Sequence, residues 1–226
     1  MIHRLRLLPL LLAACDPSAS DPVLSAETEG VLVTPIDGRC PQGEDADPWA
    51  DCIESFEPGP EAVFGQEFLP EVVLGPPMPP QAGGSVDVLS LGCGGQITLA
   101  FDPPGIVDGP GDDLVVYENP FATGDTTFAE PARVLVSEDG TTWRAFGCEL
   151  TGLGDWPPHG CAGITPVSGG DDGFIGGDAF DLADVGLPSA RYVRLVDVSS
   201  AYFGTDMWCT GGAGGFDLDA VEALAR

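Results

Sequence analysis

The stretch that decides the fold runs from Arg133 to Phe146 and reads Arg-Val-Leu-Val-Ser-Glu-Asp-Gly-Thr-Thr-Trp-Arg-Ala-Phe. Residues 133–137 and 142–146 have the composition of two β-strands, with Asp139-Gly140 between them. Asp-Gly between two such segments is a strong signal for a β-hairpin, because both residue types tolerate the positive φ angles of tight hairpin turns. The sequence therefore predicts an antiparallel hairpin here, with Trp143 in the core.

Strand-like segments recur on both sides of this hairpin. The segment that ends at Phe101 alternates, so that Ile97, Leu99 and Phe101 share one face. Residues 114–118 form a near-continuous apolar run, as expected for a central strand. The remaining strand-like segments are 86–91, 192–198 and 215–224, of which only the last could be partly helical.

Composition supports the same fold class. The 226 residues include 32 Gly and 22 Pro, which disfavour long helices and suit short strands joined by turns. Residues 55–226 have the length of one ordinary domain. We therefore predict that they form an all-β domain, a β-sandwich with long disulfide-linked loops.

The N-terminus has the order of a secretory signal peptide. Arg4 and Arg6 precede a short apolar run that ends in Leu12-Ala13-Ala14-Cys15. This run is shorter than the about 20 residues that a spanning helix needs. Cys15 after Leu-Ala-Ala resembles the bacterial lipobox, which implies removal of residues 1–14 and acylation of Cys15. The alternative is ordinary signal cleavage with an unmodified Cys15.

Lipidation would place the protein in the cell envelope. Two or more acyl chains anchor a protein stably, so we expect the chain to be tethered outside the cytoplasm, with the outer membrane or cell surface favoured. Residues 15–54 would comprise the lipidated N-terminus, a flexible acidic tether and a small disulfide loop.

Cysteine usage agrees with an oxidising compartment. Of the 7 cysteines, six remain once Cys15 is set aside, and an even set indicates disulfides. Proximity in sequence favours Cys40–Cys52 and Cys148–Cys161, which leaves Cys93–Cys209, although many other pairings are possible. A zinc site is the alternative, but the chain has no Cys-x-x-Cys motif.

Charge restricts the partners. The chain has 36 acidic and 8 basic residues and a net charge of −28. Such a surface repels nucleic acid, so nucleic-acid binding is excluded. It attracts divalent cations but also simply keeps a protein soluble, so only clustered acids indicate calcium.

Short motifs resemble the discoidin-type, galactose-binding-like family. Ser137-x-Asp139-Gly140-x-x-Trp143 matches a hairpin motif that recurs there, and residues 190–195 match a recurring strand, Ala-Arg-Tyr-Val-Arg-Leu. Residues 215–221 resemble the closing strand of related carbohydrate-binding modules. The resemblance implies a jelly-roll, discoidin-like β-sandwich, and binding more often than catalysis.

From about residue 56 onward the chain looks more closely like a family of uncharacterised bacterial cell-surface lipoproteins. The matching strings are Leu91-Gly92-Cys93-Gly94-Gly95, Asp108-Gly109-Pro110-Gly111-Asp112-Asp113, Tyr117-Glu118-Asn119, Cys161-Ala162-Gly163 and Gly176-Gly177-Asp178-Ala179-Phe180-Asp181-Leu182. This resemblance implies a location at the cell surface. Residues 147–178 depart from the discoidin pattern because they are long and disulfide-linked, so ligand sites on loops cannot be carried over.

Clustered carboxylates are the main candidates for a site. Asp108, Asp112 and Asp113 surround two glycines and a proline in a loop that can turn several oxygens inward. Glu118 and Asn119 end the strand that follows. Carboxylate, amide and carbonyl oxygens are the ligands of Ca²⁺, so the sequence predicts a calcium site.

Two further pairs of acids are candidate calcium ligands. Asp178 and Asp181 lie in a Gly-rich acidic segment, where Asp178 could instead bond backbone amides before a short helical turn. Asp217 and Asp219 share a face if their segment is extended. In the related carbohydrate-binding modules, the Asp matching Asp219 supplies a structural calcium ligand. The alternative is two solvated acids on an exposed strand.

Aromatic residues suggest a sugar ligand. Trp156, Tyr202 and Trp208 lie in loop-like, Gly-rich segments, and aromatic rings stack on sugars while nearby acids bind the hydroxyls. The alternative is that these rings close the ends of the sandwich beside the disulfides.

Catalysis has few residues to use. The chain has no lysine, and His159, the one histidine beyond the signal segment, lies in no Gly-x-Ser-x-Gly motif. Paired carboxyls at a suitable distance can carry out glycoside hydrolysis. With 36 acidic residues, however, some pair will have that distance by chance, so the pattern is no evidence for a glycosidase. We therefore predict that the protein is not an enzyme.

Together these features predict a membrane-anchored surface lipoprotein that acts as a binding or adhesion module. We expect Ca²⁺ to stabilise it, and a glycan or another surface protein to be its partner. The alternatives are a structural envelope protein with no small ligand and, more distantly, a carboxylate-dependent glycoside hydrolase. Exposed tryptophans beside polar groups would favour a sugar, whereas an exposed apolar patch elsewhere would favour packing against a protein.

Overall fold

The computed structural model describes residues 47–78, 87–118, 121–123, 126–150, 158–170, 173–209 and 211–226, of which 121–123, 126–127, 168–170, 173–175 and 208 are described by their backbone alone. The strands, numbered along the chain, are β1 (Cys52–Glu57), β2 (Leu89–Ser90), β3 (Gln96–Ala100), β4 (Ile106–Val107), β5 (Leu114–Glu118), β6 (Phe121–Thr123), β7 (Thr126–Phe128), β8 (Ala132–Ser137), β9 (Arg144–Ala145), β10 (Ser168–Gly170), β11 (Gly173–Ile175), β12 (Asp178–Phe180), β13 (Ser189–Ala190), β14 (Tyr192–Asp197) and β15 (Asp217–Ala223). The helix α1 spans Ser199–Phe203, and 3₁₀ helices span Gln66–Phe68, Glu71–Val73, Leu182–Val185 and Asp206–Trp208.

Two antiparallel sheets dominate the fold. One has the strand order β1-β3-β14-β8-β9, and the other has the order β12-β5-β15-β2. The pairs β4–β13, β6–β7 and β10–β11 form small two-stranded sheets. The prediction of a mostly β domain is confirmed, and β5 lies between two neighbours, as its continuous apolar run predicted.

The two larger sheets share one hydrophobic core. In the five-stranded sheet, alternation along β14 places Val193 and Leu195 in the core. In the four-stranded sheet, Leu114 and Val116 of β5 enter the same core. The other strand residues of this core include Ile97, Leu99, Val134, Val136, Leu218, Val221 and Ala223. The arrangement is that of a sandwich, in which side chains from two sheet faces fill the space between them.

The predicted hairpin is present. β8 pairs with β9 through Leu135 opposite Ala145 and Val136 opposite Arg144. In the turn, the Asp139 carboxylate accepts hydrogen bonds from the backbone N–H groups of Thr141 (2.8 Å) and Thr142 (2.7 Å). Gly140 has a φ of 72°, a left-handed conformation that glycine adopts without strain.

One sequence expectation differs from the structure. Trp143 is half-buried rather than in the core, because it lies on the outer face of the sheet with the Arg194 guanidinium 4.0 Å above its ring. Residues 217–223 form a strand, as predicted for 215–224, and the helix α1 lies earlier, at Ser199–Phe203. Trp49 forms a β-bridge with Glu222, and Arg226 pairs with Asp51 at 2.7 Å, so ordered structure begins before residue 55.

Two of the predicted disulfides are confirmed. Cys93 is bonded to Cys209 across a sequence separation of 116, and Cys148 to Cys161 across a separation of 13. Cys52 is also in a disulfide, but Cys40, its predicted partner, lies outside the described residues. The predicted signal segment, Cys15 and the predicted tether up to residue 46 lie outside them too.

Within the described ranges, no helix has the length and apolar character needed to cross a membrane.

The two disulfides should contribute unequally to stability. Chain entropy predicts a loss of about 5 kcal/mol for Cys93→Ser/Cys209→Ser and about 3 kcal/mol for Cys148→Ser/Cys161→Ser, because the longer loop restricts the unfolded chain more. Urea denaturation of the two double variants measures the free energy of unfolding. Equal losses, or a larger loss for the shorter loop, would contradict this explanation.

The Asp139 turn should respond to acid. Hydrogen bonds from Thr142 and Thr141 hold the pKa of Asp139 well below its ordinary value of 3.8. A carboxyl with a depressed folded-state pKa stabilises the fold above its unfolded pKa, and this stabilisation is lost as the pH falls. Asp139→Asn should therefore lower the melting temperature at pH 7, and this deficit should shrink below pH 3.8. Glu138→Gln, beside it in sequence, is the control and should show no such change with pH.

Candidate functional site

One group of carboxylates has metal-like spacing. Oxygens of Asp108, Asp113 and Asp181 lie within 4.8 Å of one another, and no other trio of potential ligands in the described ranges does so. Pairing of β12 with β5, with Phe180 opposite Leu114, brings the two segments together. Three of the predicted calcium ligands therefore converge.

Asp113 already has protein partners on both carboxylate oxygens. Its Oδ1 accepts a hydrogen bond from the Gly109 backbone N–H (2.8 Å), and its Oδ2 accepts one from the Leu182 N–H (2.8 Å). Its backbone N–H donates to the Phe180 carbonyl (2.8 Å), and its carbonyl accepts from the Leu224 N–H (2.7 Å). Asp113, which is buried, thus connects three segments of the chain through hydrogen bonds.

The neighbouring predicted ligands, Asp181 and Asp178, also accept hydrogen bonds from backbone N–H groups. Asp181 Oδ1 accepts from the Ala183 N–H (2.8 Å) and caps the 3₁₀ helix Leu182–Val185. Asp178 accepts from the Ile164 N–H and the Thr165 hydroxyl, both at 2.8 Å. These bonds fit the alternative in which the acids hold turns. Asp112 is exposed, and Asn119 lies outside the described residues.

A second group of acids lies at one end of the sandwich, where Glu118 and Glu130 are buried and Asp178 and Asp217 are half-buried. Glu118 ends β5, Asp217 begins β15, Asp178 begins β12 and Glu130 precedes β8. The charges of the other three all act on Glu118. We call these four residues the buried acidic cluster. Glu118 is 4% exposed, and its Oε2 has no hydrogen-bond partner in the described structure.

Burial controls the protonation of this cluster. It raises the pKa of Glu118 well above the ordinary value, and the charges of Asp217 and Glu130 raise it further. Burial raises the pKa of Glu130 to about 8, against the opposing hydrogen bond from Gly215, and that of Asp217 to about 7. Because the charged form is disfavoured, these carboxyls take up a proton or a cation more readily than exposed ones.

The acid next to this cluster, Asp197, is fully engaged. Its Oδ1 accepts from the Gly94 N–H (2.9 Å), and its Oδ2 accepts from the Ser199 hydroxyl (2.6 Å) and the Phe216 N–H (2.8 Å). Asp197 therefore ties the end of β14 to the start of β15. Sequence reasoning did not single it out, because no local motif marks a strand-terminal aspartate as buried.

Glu130, a member of the cluster itself, was also missed by sequence reasoning. Its Oε1 accepts from the Gly215 N–H at 2.7 Å, and the residue is 9% exposed. Its neighbours in Ala129-Glu130-Pro131-Ala132 are small, but nothing in this local sequence marks the acid as buried.

The predicted pair Asp217 and Asp219 does not form a common ligand set. A β-bulge shifts the register between Leu218 and Ala220, and Asp219 is the extra residue. The Ser90 hydroxyl donates to Asp217, whereas Asp219 accepts from the Met78 N–H at 3.2 Å. Burial raises the pKa of Asp219 to about 7.

Of the three aromatic candidates for a sugar site, only the Tyr202 side chain lies in the described part of the chain, and its burial fits the alternative in which it closes the sandwich. Tyr202 is 2% exposed and meets Phe203 edge-on, with ring centroids 5.2 Å apart. Stacking on a sugar needs an exposed ring face, which Tyr202 does not offer here. Trp156 and the side chain of Trp208 lie outside the described residues.

The structure also shows an apolar surface that sequence reasoning missed. Val63, Phe64, Phe68 and Met207 are all exposed, Val63 and Met207 by 63% and Phe68 by 57%. The Phe64 carbonyl accepts from the N–H of Ser90 in the edge strand β2, and the N–H groups of Val63 and Phe64 donate to the Gly212 carbonyl (3.0 and 2.9 Å). Met207 lies five residues before Gly212 in the same connection. We call these four side chains the apolar edge.

The chain matches none of the known protein-family models, nor any curated protein. The placement of its carboxyl groups and of its apolar edge is therefore the basis on which a function is assigned.

Asp113 should stabilise the fold whether or not calcium is present. Asp113→Ala leaves the Gly109 and Leu182 N–H groups without their acceptor, and each buried unpaired group costs about 1–3 kcal/mol. Chemical denaturation should show a loss of about 2–6 kcal/mol, equal in calcium and in chelator. The exposed Asp108→Asn is the matched control and should change little. A loss seen only in calcium would instead identify this trio as a metal site.

Proposed function

We propose that the protein is a lipid-anchored, extracytoplasmic binding module that contacts another surface protein through its apolar edge. The lipobox-like sequence ending at Cys15 supports the anchor. The disulfides Cys93–Cys209 and Cys148–Cys161, together with the disulfide-bonded Cys52, fit an oxidising compartment. The single observation that carries the binding function is the exposure of the apolar edge.

Exposed apolar side chains of this size need an explanation in so acidic a chain. Exposed apolar side chains that lie near one another mark contact surfaces. Val63, Phe64 and Phe68 lie within six residues of chain, and the bonds to Gly212 bring the connection that carries Met207 to the same segment. The apolar edge lies beside β2, the outermost strand of its sheet. Backbone bonds from Ser90 and to Gly212 fix Phe64 and Val63 in place. A partner would therefore meet a preformed surface.

Charge indicates the chemistry of the partner. Glu61, Glu67, Glu71 and Asp206 lie in the same segments as the apolar edge and are exposed. A complementary surface would have an apolar centre and a basic rim. A second copy of this chain, with its net charge of −28, would instead place like charges together. We therefore assign the contact to a different protein.

Binding is favoured over catalysis. The carboxyls with raised pKa values, Glu118, Glu130 and Asp217, lie within the buried acidic cluster, where a substrate has little access. The two sheets with a shared core, together with the hairpin motif, support a jelly-roll, discoidin-like sandwich of the cell-surface lipoprotein family. Domains of that kind act by binding more often than by chemistry.

A protein partner is favoured over a glycan. The buried Tyr202 offers no ring face for stacking, whereas the apolar edge offers the kind of surface that packs against a protein. The same edge would serve an adhesive contact or a structural one within the envelope.

Site-specific photo-crosslinking in the native cells tests this proposal. A photoreactive amino acid at position 68 or 207 should form an adduct with one other protein, and an adduct should be absent from the control position 141, which is exposed on the hairpin of the other sheet. With the crosslinker at position 63, Phe68→Ser/Met207→Ser should lower the yield about tenfold, which corresponds to about 1.4 kcal/mol of binding free energy.

Three results would overturn the proposal. One is the absence of any adduct at 68 and 207, and another is an equal yield at position 141. The third is an adduct with a second copy of the chain, which would replace the assigned partner by self-association. Unchanged thermal unfolding of each variant confirms that the fold is intact.

A further inference from the structure

Two arginines lie together on the outer face of the five-stranded sheet. Along β14, Val193 and Leu195 enter the core, so strand alternation places Arg194 on the opposite, outward side. Arg194 is paired with Leu135 of β8, and Arg133 precedes Leu135 by two residues. Arg133 therefore lies on the same face, diagonal to Arg194, at a Cβ separation of about 7–8 Å. Both arginines are half-buried.

Neither arginine forms an ion pair within the part of the chain that the structure describes. The ion pair there joins Arg226 to Asp51 at 2.7 Å. The whole chain has 36 acidic residues and only 8 basic ones, so carboxylates are present in large excess. Two like charges on neighbouring strands repel each other. The pair therefore does not stabilise the sheet, and its positive charge is available to an anion from outside the chain.

Arg194 is held in place by two contacts. Its Nε donates to the Thr98 hydroxyl oxygen at 2.9 Å, and its guanidinium carbon lies 4.0 Å from the centroid of the Trp143 ring. A guanidinium presents its N–H groups as a planar fork that matches the two oxygens of a carboxylate. Because these contacts orient the group beforehand, less conformational entropy is lost when a carboxylate binds.

Apolar side chains adjoin the two charges. Val196 is paired with Arg133, and Leu135 with Arg194. The four residues thus form one block with its charges on one diagonal and its apolar groups on the other. Val196 and Leu135 are half-buried, as is Tyr192, which lies on the same face of β14. The C–H face of a sugar ring packs on such side chains, so a sugar that carries a carboxylate would satisfy both parts of the block.

The backbone of this face does not suit a peptide that binds as an added strand. β14 has β3 and β8 as neighbours, and β8 has β14 and β9. Their N–H and C=O groups are committed to the sheet, whereas strand addition requires a free edge. The net charge of −28 also repels polyanions and anionic membranes. A short acidic saccharide carries few charges and meets less repulsion.

We propose that the outer face of the five-stranded sheet binds an acidic saccharide. The carboxylate lies between Arg133 and Arg194, and the sugar ring packs on Leu135 and Val196. The site is on a different sheet from the apolar edge. It assigns a second ligand, and it does not depend on the protein contact proposed there.

An array of uronic acid and sialic acid saccharides, each beside its carboxyl-reduced neutral counterpart, tests the proposal with the full chain. The protein should bind at least one acidic saccharide. Its affinity for the neutral counterpart should be about tenfold lower, because the charge-assisted hydrogen bonds from the arginines are lost. Calorimetric titration with the saccharide that binds measures both dissociation constants.

Arg133→Gln and Arg194→Gln should each weaken the binding of that saccharide by about tenfold. Arg144→Gln is the matched control and should bind as the wild type does. Arg144 is exposed on the same hairpin, but it is paired with Val136 of the core and so lies toward the other side of the sheet. Arg133 has no hydrogen bond or ion pair to any described residue. Arg133→Gln should therefore melt at the wild-type temperature, even if Arg194→Gln, which loses its side-chain contacts, does not fold.

Three results would overturn the proposal. One is the absence of binding to every acidic saccharide on the array, and binding of an acidic peptide or of vesicles with anionic headgroups instead would assign the face to that class. Another is equal affinity for the acidic saccharide and its neutral counterpart. The third is unchanged binding by Arg133→Gln, or a loss in Arg144→Gln as large as that in Arg133→Gln.

Discussion

Hydrogen bonds from backbone N–H groups to aspartate carboxylates are the interaction on which this structure depends. Buried N–H groups must be paired, and the connections between the short strands offer them few backbone partners. Asp113, Asp139, Asp178, Asp181 and Asp197 all accept such bonds. In a chain of net charge −28, acidic residues thus form part of the framework as well as the surface.

Glu118 and Asp113 show how the same residue chemistry leads to different outcomes. Asp113 is buried with both oxygens bonded to N–H groups, so the protein itself compensates its desolvation. Glu118 is buried with Oε2 unbonded and with other carboxyls around it. The first residue is explained by folding alone, whereas the second requires a proton or a cation. The two carboxyls therefore differ in the hydrogen-bond partners of their oxygens, and not in the number of acidic residues around them.

Much of the sheet framework was predictable from local sequence. The Asp139-Gly140 turn between two strand-like segments gave the hairpin, and alternation gave the buried face of Ile97 and Leu99. The site was less predictable. Sequence reasoning named Glu118 but grouped it with the loop that contains Asp108, Asp112 and Asp113. It missed Glu130 and the apolar edge. Local sequence does not mark which acid becomes buried or which apolar side chain stays exposed.

The sequence by itself determined the local features: a turn with its carboxylate cap, the faces of strands, and an even set of cysteines. These depend on residues that are close in the chain or on a simple count. Proximity favoured Cys148–Cys161, but among the many possible pairings only the fold brings Cys93 to Cys209, which are 116 residues apart. Only the tertiary structure decided the environment of each carboxyl and each aromatic ring. Burial depends on contacts between distant segments, and the β-bulge at Asp219 shows that one extra residue redirects a side chain that strict alternation would place elsewhere.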